Sequence, residues 1–167
     1  MPPNVSIDLR SLMVMTRFLA STKGPFVIVG RDSGLALDTA WRHDDEHPIL
    51  WPVHGEPHQL WRFRRTTHPG QFLIVSEENG LALDARRGGD DGRWPKMRAC
   101  HGEAHQRWRL LPVKERAAWV IESIRTREVL HKPTAAMAES RTSPTMRRPD
   151  GRTNQQWLIM NPFRGPS

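Results

Sequence analysis

The sequence predicts an all-β fold of about twelve short strands, assembled from three copies of one unit of roughly 47 residues. Three markers carry that reading. The first is Gln-x-Trp, found as Gln59-Leu60-Trp61, Gln106-Arg107-Trp108 and Gln155-Gln156-Trp157, with successive glutamines 47 and 49 residues apart. The second is Gly34-Leu35-Ala36-Leu37-Asp38, which returns 46 residues later as Gly80-Leu81-Ala82-Leu83-Asp84 and, more loosely, as Arg127-Glu128-Val129-Leu130-His131. The third opens each unit: Phe26-Val27-Ile28-Val29, Phe72-Leu73-Ile74-Val75 and Trp119-Val120-Ile121-Glu122. Composition does not produce three markers in one order, three times over. They set the units at about 24–66, 67–113 and 114–164, in a domain spanning 24–167.

Each unit reads as four strands. Its apolar, β-branched runs are about 4–8 residues long and no 3.6-residue stripe persists, which excludes an amphipathic helix. Ser33-Gly34 and Asn79-Gly80 are hairpin turn pairs, because glycine and asparagine tolerate the positive φ of such turns. A second turn falls at His54-Gly55-Glu56-Pro57, His101-Gly102-Glu103-Ala104 and Asp150-Gly151-Arg152-Thr153. A set of strands like this can close on itself and leave few exposed edges.

Three Gln-x-Trp units, each with a Gly-Leu-x-Leu-Asp element or its remnant some twenty residues upstream, resemble the ricin-type β-trefoil lectin family over roughly residues 24–164. The resemblance implies a β-trefoil in which the Gln-x-Trp tryptophan packs the core and the glutamine supports a turn. It also implies carbohydrate binding without catalysis. The family often bridges a cysteine in the Gly-Leu-Cys element to one on the next strand. This chain has Ala36 and Ala82 at the first position and Val53 and Cys100 at the second, so small and apolar packing is expected in place of the bridge. Cys100, the only cysteine, is expected to be a small core residue. With no intramolecular disulfide possible, a reducing compartment is expected.

A pyranose needs an aromatic platform for its apolar face and a carboxylate that accepts two hydroxyl hydrogen bonds at once. The resemblance places these at the Asp ending the second marker, at an aromatic ten residues before the Gln-x-Trp tryptophan, and at the Asn-Gln pair opening that motif. In the first unit they are Asp38, Trp51, His58 and Gln59, with Ile49 and His58 replacing the family's usual Gln and Asn. This is the expected sugar pocket. The second unit offers a weaker site from Asp84, Arg98, His105 and Gln106; arginine at the aromatic place suits an acidic sugar, and Trp94 stands four residues upstream as a substitute platform. The third unit keeps Asn154 and Gln155 but has His131 for the carboxylate and Arg147 for the aromatic, so it is expected to be inactive. The implied partner is a glycan, of galactose type or acidic. Removing the first carboxylate by Asp38→Ala is expected to abolish binding at little cost in stability.

Other chemistry fares worse. His54-x-Glu56-x-His58 and His101-x-Glu103-x-His105 place histidines four apart, but on a turn rather than a helix, and no four-ligand spacing emerges, so neither metal nor cofactor is expected. No Gly-x-Ser-x-Gly, P-loop or dinucleotide fingerprint is present, and no enzyme is expected. Lys+Arg 25 against Asp+Glu 18 gives a net charge of +7, yet the arginines are spread over all three units. Arg62/Arg64 and Arg107/Arg109 are expected on the solvent face, and nucleic-acid binding is not expected. The mean hydropathy is −0.62 and no run approaches a membrane span.

Residues 1–23 precede the repeats. Ser11 is a candidate N-cap for a short helix with Leu12, Met15 and Leu19 on one face, and this apolar extension is the best candidate for contact with a protein partner. Met1-Pro2-Pro3-Asn4 lacks the basic start of a secretory leader, so the cytoplasm is expected. The alternative to a lectin is a degenerate β-trefoil that no longer binds sugar and serves as a protein-interaction module or subunit of a larger assembly.

Overall fold

A computed structural model of the chain describes residues 24–39, 47–85, 93–133 and 142–162. The expected N-terminal helix lies outside the described residues, as do the acidic loops at 44–46 and 90–91. The described residues form twelve strands, four per repeat. The first repeat holds β1 (Val27–Gly30), β2 (Leu35–Asp38), β3 (Ile49–Pro52) and β4 (Trp61–Arg65). The second holds β5 (Phe72–Ser76), β6 (Ala82–Asp84), β7 (Lys96–Arg98) and β8 (Trp108–Pro112). The third holds β9 (Trp119–Ser123), β10 (Val129–His131), β11 (Thr145–Arg147) and β12 (Trp157–Met160).

The first and fourth strands of the repeats make a closed ring. Antiparallel pairs join β4 to β5, β5 to β8, β8 to β9, β9 to β12 and β12 to β1. The bridge between Phe26 and Trp61 joins β1 to β4 through two backbone hydrogen bonds of 2.8 Å and completes the circuit. The second and third strands pair as three hairpins, β2–β3, β6–β7 and β10–β11. Six barrel strands and three hairpins are the β-trefoil arrangement expected from the repeat. The closed ring leaves its strands no free edge.

The core repeats three-fold. Ile28, Ile74 and Ile121 are fully buried, as are Leu37, Leu83 and Leu130, while Leu50, Met97 and Met146 fill the next position. Trp61, Trp108 and Trp157 are wholly buried, and each indole Nε1–H donates to the carbonyl of the matching leucine, Leu37, Leu83 or Leu130, at 2.9, 2.9 and 3.0 Å. A buried indole N–H costs free energy unless it is paired, so this bond lets a large apolar side chain enter the core. The tryptophan role expected from the repeat is therefore seen in all three units.

The expected packing at the vacated bridge positions needs correction. Ala36 and Ala82 are buried, but Val53 is 40% exposed and Cys100 is exposed. Both follow the ends of β3 and β7, where the chain leaves the sheet, so neither packs on the alanines. Of the arginines expected on the solvent face, Arg64 is exposed, whereas Arg62, Arg107 and Arg109 are half-buried. Arg62 forms a two-pronged pair with Glu77, Arg107 donates to Gln71 Oε1 at 3.0 Å, and Arg109 lies 3.9 Å from Glu122. The Arg62 guanidinium holds the Glu77 carboxyl below its ordinary range, and Glu77 in turn raises Arg62.

One ion pair ties the last repeat to the first. Lys132 Nζ lies 3.0 Å from Asp32 Oδ2, with the lysine side chain 8% exposed and the aspartate 22%. Asp32→Ala strands a nearly buried ammonium and is expected to cost about 1.5–3 kcal/mol in urea denaturation. Lys132→Met, which removes the charge and keeps the stem, is expected to cost less. Equal costs would mean that loss of the pair itself, and not the stranded ammonium, accounts for the effect.

Candidate functional site

In the first repeat the site forms where β2 ends against the turn between β3 and β4. A single 3-10 turn, Pro57–Gln59, precedes β4. Gly55 enters it at φ +75°, a left-handed conformation with open space where a Cβ would stand; the strain there for another residue is conformational. Gln59 is wholly buried and fastens the turn. Its Oε1 accepts from His54 N at 2.9 Å and Gly55 N at 3.2 Å, while Nε2 donates to Pro52 O and to Asp38 Oδ2, both at 3.0 Å. All four bonding positions of the amide are thereby filled.

Asp38 is 2% exposed. Two imidazoles stand over its carboxylate, with His54 Nε2 at 3.5 Å and His58 Nε2 at 3.7 Å from Oδ2. Their Nε2 atoms are 3.1 Å apart and their side chains 30% and 25% exposed, so the imidazoles are the solvent-facing polar part of the site. The sequence reading placed Asp38, His58 and Gln59 together, and they do meet. His54, which the sequence assigns only to the turn, lies nearer the carboxylate than His58.

Strand register locates the aromatic. Ala36 is opposite Trp51 and Asp38 is opposite Ile49. Directly paired antiparallel residues project to the same face, so half-buried Trp51 shares the face of Asp38. In the second repeat Ala82 is opposite Arg98, and in the third Val129 is opposite Arg147. Those arginines occupy the position of Trp51, as the spacing predicted. Both are exposed.

The family model for the ricin-type beta-trefoil lectin domain matches residues 24–157. The chain belongs to that family. A comparison with curated protein sequences gives no match. Among solved structures, this ricin-type domain is similar to the designed three-fold symmetric protein ThreeFoil, with TM-score 0.73 and 24% identity over 83% of this chain and 99% of that one. It is also similar to the Macrolepiota procera ricin B-like lectin in complex with lactose, with TM-score 0.71 and 18% identity over 83% of this chain and 96% of that one. A third is an exo-β-1,3-galactanase from Clostridium thermocellum, with TM-score 0.72 and 19% identity over 84% of this chain but 30% of the enzyme's. At these identities the likeness shows the fold. The family match supports carbohydrate binding at the level of the family.

The second ricin-type repeat reproduces the first in detail. Gln106 Oε1 accepts from His101 N and Gly102 N at 2.9 and 3.2 Å, and its Nε2 donates to Ala99 O and Asp84 Oδ2 at 2.9 and 3.2 Å. His105 and His101 stand over Asp84 Oδ2 at 3.5 and 3.8 Å, with 3.3 Å between their Nε2 atoms. Trp94, the substitute platform, is 38% exposed. The third repeat keeps the turn, since Gln155 Oε1 accepts from Asp150 N at 2.8 Å and Nε2 donates to Arg148 O at 2.9 Å. Its pocket differs. His131 replaces the carboxylate, with Gln155 Nε2 at 3.4 Å from Nδ1, and burial together with Arg147 holds this imidazole below its ordinary range. Asn154 is buried and donates Nδ2 to Lys132 O at 3.1 Å. No described helix is long and apolar enough to cross a membrane.

Proposed function

We infer that this ricin-type domain is a non-catalytic carbohydrate-binding protein whose working pocket lies in the first repeat. Trp51 supplies the platform, His58 the solvent-facing polar contact and Asp38 the acceptor, with Gln59 positioning Asp38 from behind. The observation that carries this reading is the register. Trp51 is the aromatic opposite Ala36, on the Asp38 face, where the other repeats have Arg98 and Arg147. A sugar's apolar face stacks on an aromatic ring, and arginine provides no equivalent apolar surface. In the second repeat Arg98 beside Asp84 favours an acidic sugar as a weaker ligand. The Macrolepiota procera neighbour is described with lactose, which makes galactosides the first probes.

Asp38 is buried and holds Gln59, so its replacement affects folding as well as binding, contrary to the small stability cost expected from sequence. Trp51→Ala is the better control. On a glycan array at low and high salt, binding is expected to survive high salt and to fall at least about tenfold in Trp51→Ala. Binding only to acidic glycans, only at low salt and unchanged in the variant, would be arginine electrostatics and would overturn the reading. Silence on the array would favour the degenerate trefoil, a protein-interaction module, with residues 1–23 as the segment to probe.

A further inference from the structure

The turns before β4 and β8 gather more nitrogen donors than a sugar pocket needs. His54, His58 and Asp38 bring three ligand atoms to within 4.8 Å of one another, and so do His101, His105 and Asp84. We propose that each cluster is a binding site for a divalent cation of the zinc class. This goes beyond sugar recognition and stands whether or not the domain binds a glycan.

The geometry is that of one face of a coordination tetrahedron. With zinc bonds of about 2.0–2.2 Å to nitrogen and carboxylate oxygen, neighbouring ligand atoms lie roughly 3.3–3.5 Å apart. The first cluster has separations of 3.1, 3.5 and 3.7 Å and the second 3.3, 3.5 and 3.8 Å. An ion seated just off the plane of the three atoms, at the tetrahedral position, therefore lies about 2.1 Å from each in the first cluster and about 2.2 Å in the second. Two imidazoles and one carboxylate suit zinc, copper or nickel and not magnesium or calcium, which take oxygen ligands. The carboxylate is prepared for the role. Asp38 and Asp84 are each 2% exposed and each is fixed by a glutamine Nε2, an outer partner of the kind that orients metal ligands.

Two bonds oppose the ion. The Nε2···Nε2 contact of 3.1 Å in the first cluster and 3.3 Å in the second is a hydrogen bond that the ion must replace. Glu56 N–H donates to His54 Nδ1 at 3.1 Å, and Glu103 N–H donates to His101 Nδ1 at 3.2 Å, which places the imidazole proton on Nε2. When Nε2 takes the ion, that proton moves to Nδ1, and the displaced backbone N–H, which lies at the surface, bonds water instead. The third repeat is an internal control. It has Asp150, Asn154 and His131 at the corresponding places, and no such cluster forms there among the described residues.

The test is a calorimetric titration of the full chain with Zn²⁺ after dialysis against a chelator and then metal-free buffer. Two sites per chain are expected. His58→Ala and His105→Ala are each expected to leave one site, and the double variant none. His68→Ala and Cys100→Ser are expected to keep both, so that neither adventitious imidazole nor thiol explains the uptake. The two trimmed imidazoles are partly exposed, and thermal melts in chelator check that the variants fold. A wild-type stoichiometry other than two, or one unchanged in the double variant, overturns the proposal. A glycan array run in chelator separates its failure from failure of the sugar reading.

Discussion

Trp108→Ala is expected to cost about 3–5 kcal/mol, the range for deleting a fully buried aromatic from a packed core. Typical domains are stable by only about 5–15 kcal/mol, so the variant will be marginal at room temperature. Two losses combine. The ring belongs to the buried apolar cluster that also holds Ile74, Leu83 and Leu110, and its removal leaves a cavity that a closed barrel cannot easily collapse. The Leu83 carbonyl also loses the donor that reached it at 2.9 Å. Trp108→Phe keeps much of the ring and loses the donor, so it is expected to fall between the wild type and the alanine variant in urea denaturation. A Trp108→Ala cost below about 1.5 kcal/mol would mean that the core refills the space, against the rigidity argued from the closed ring.

Gln59 is the second large effect. Gln59→Leu leaves a buried carboxylate, two backbone N–H groups and one carbonyl without the amide that joined them. A single buried polar group stranded in this way costs about 1–3 kcal/mol, and the carboxylate is the most expensive of the four. Gln59→Glu is more informative. Its shape is kept and its oxygens still accept from His54 and Gly55, but no hydrogen remains to donate to Asp38. Two carboxylate oxygens then face each other at close range, and one proton shared between them restores the missing bond. The Glu variant is therefore expected to be most destabilised near pH 7 and to recover more than the Leu variant as the pH falls to 5, because protonation relieves the stranded carboxylate in both but rebuilds a bond to Asp38 only in the Glu variant. Denaturation midpoints at both pH values test this. Parallel behaviour of the two variants would show that the bond to Asp38 contributes little.

Most of the fold was legible because each repeat states it again. Alternation in Val27-Ile28-Val29 is ambiguous alone, but its recurrence as Leu73-Ile74-Val75 ahead of a Gly-Leu-x-Leu-Asp element is not. The spacing of ten residues from Trp51 to Trp61 likewise placed Arg98 and Arg147 in register with the aromatic. Turn geometry was what the spacing did not convey. A 3-10 turn after a left-handed glycine folds His54 back onto His58, and no periodicity of strand or helix predicts that meeting. The burial of Asp38 was hidden for the same reason, since the glutamine and both imidazoles reach it from that turn. Cys100 and Val53 were misjudged because sequence position gave their distance from β7 and β3 but not that the chain turns outward there.

The seam where β12 runs beside β1 has a consequence for the order of the chain. Val27 faces Met160 and Gly30 faces Trp157, so the domain's first and last strands are neighbours in the ring. Neither is privileged by the architecture: β4 meets β5 and β8 meets β9 in the same way, and the Gln-x-Trp unit is equivalent at each corner. The pairing around the ring thus does not depend on which unit comes first. A circularly permuted chain that began at the second unit and ended with the first would have the same ring to close, with each unit seated against the same two companions.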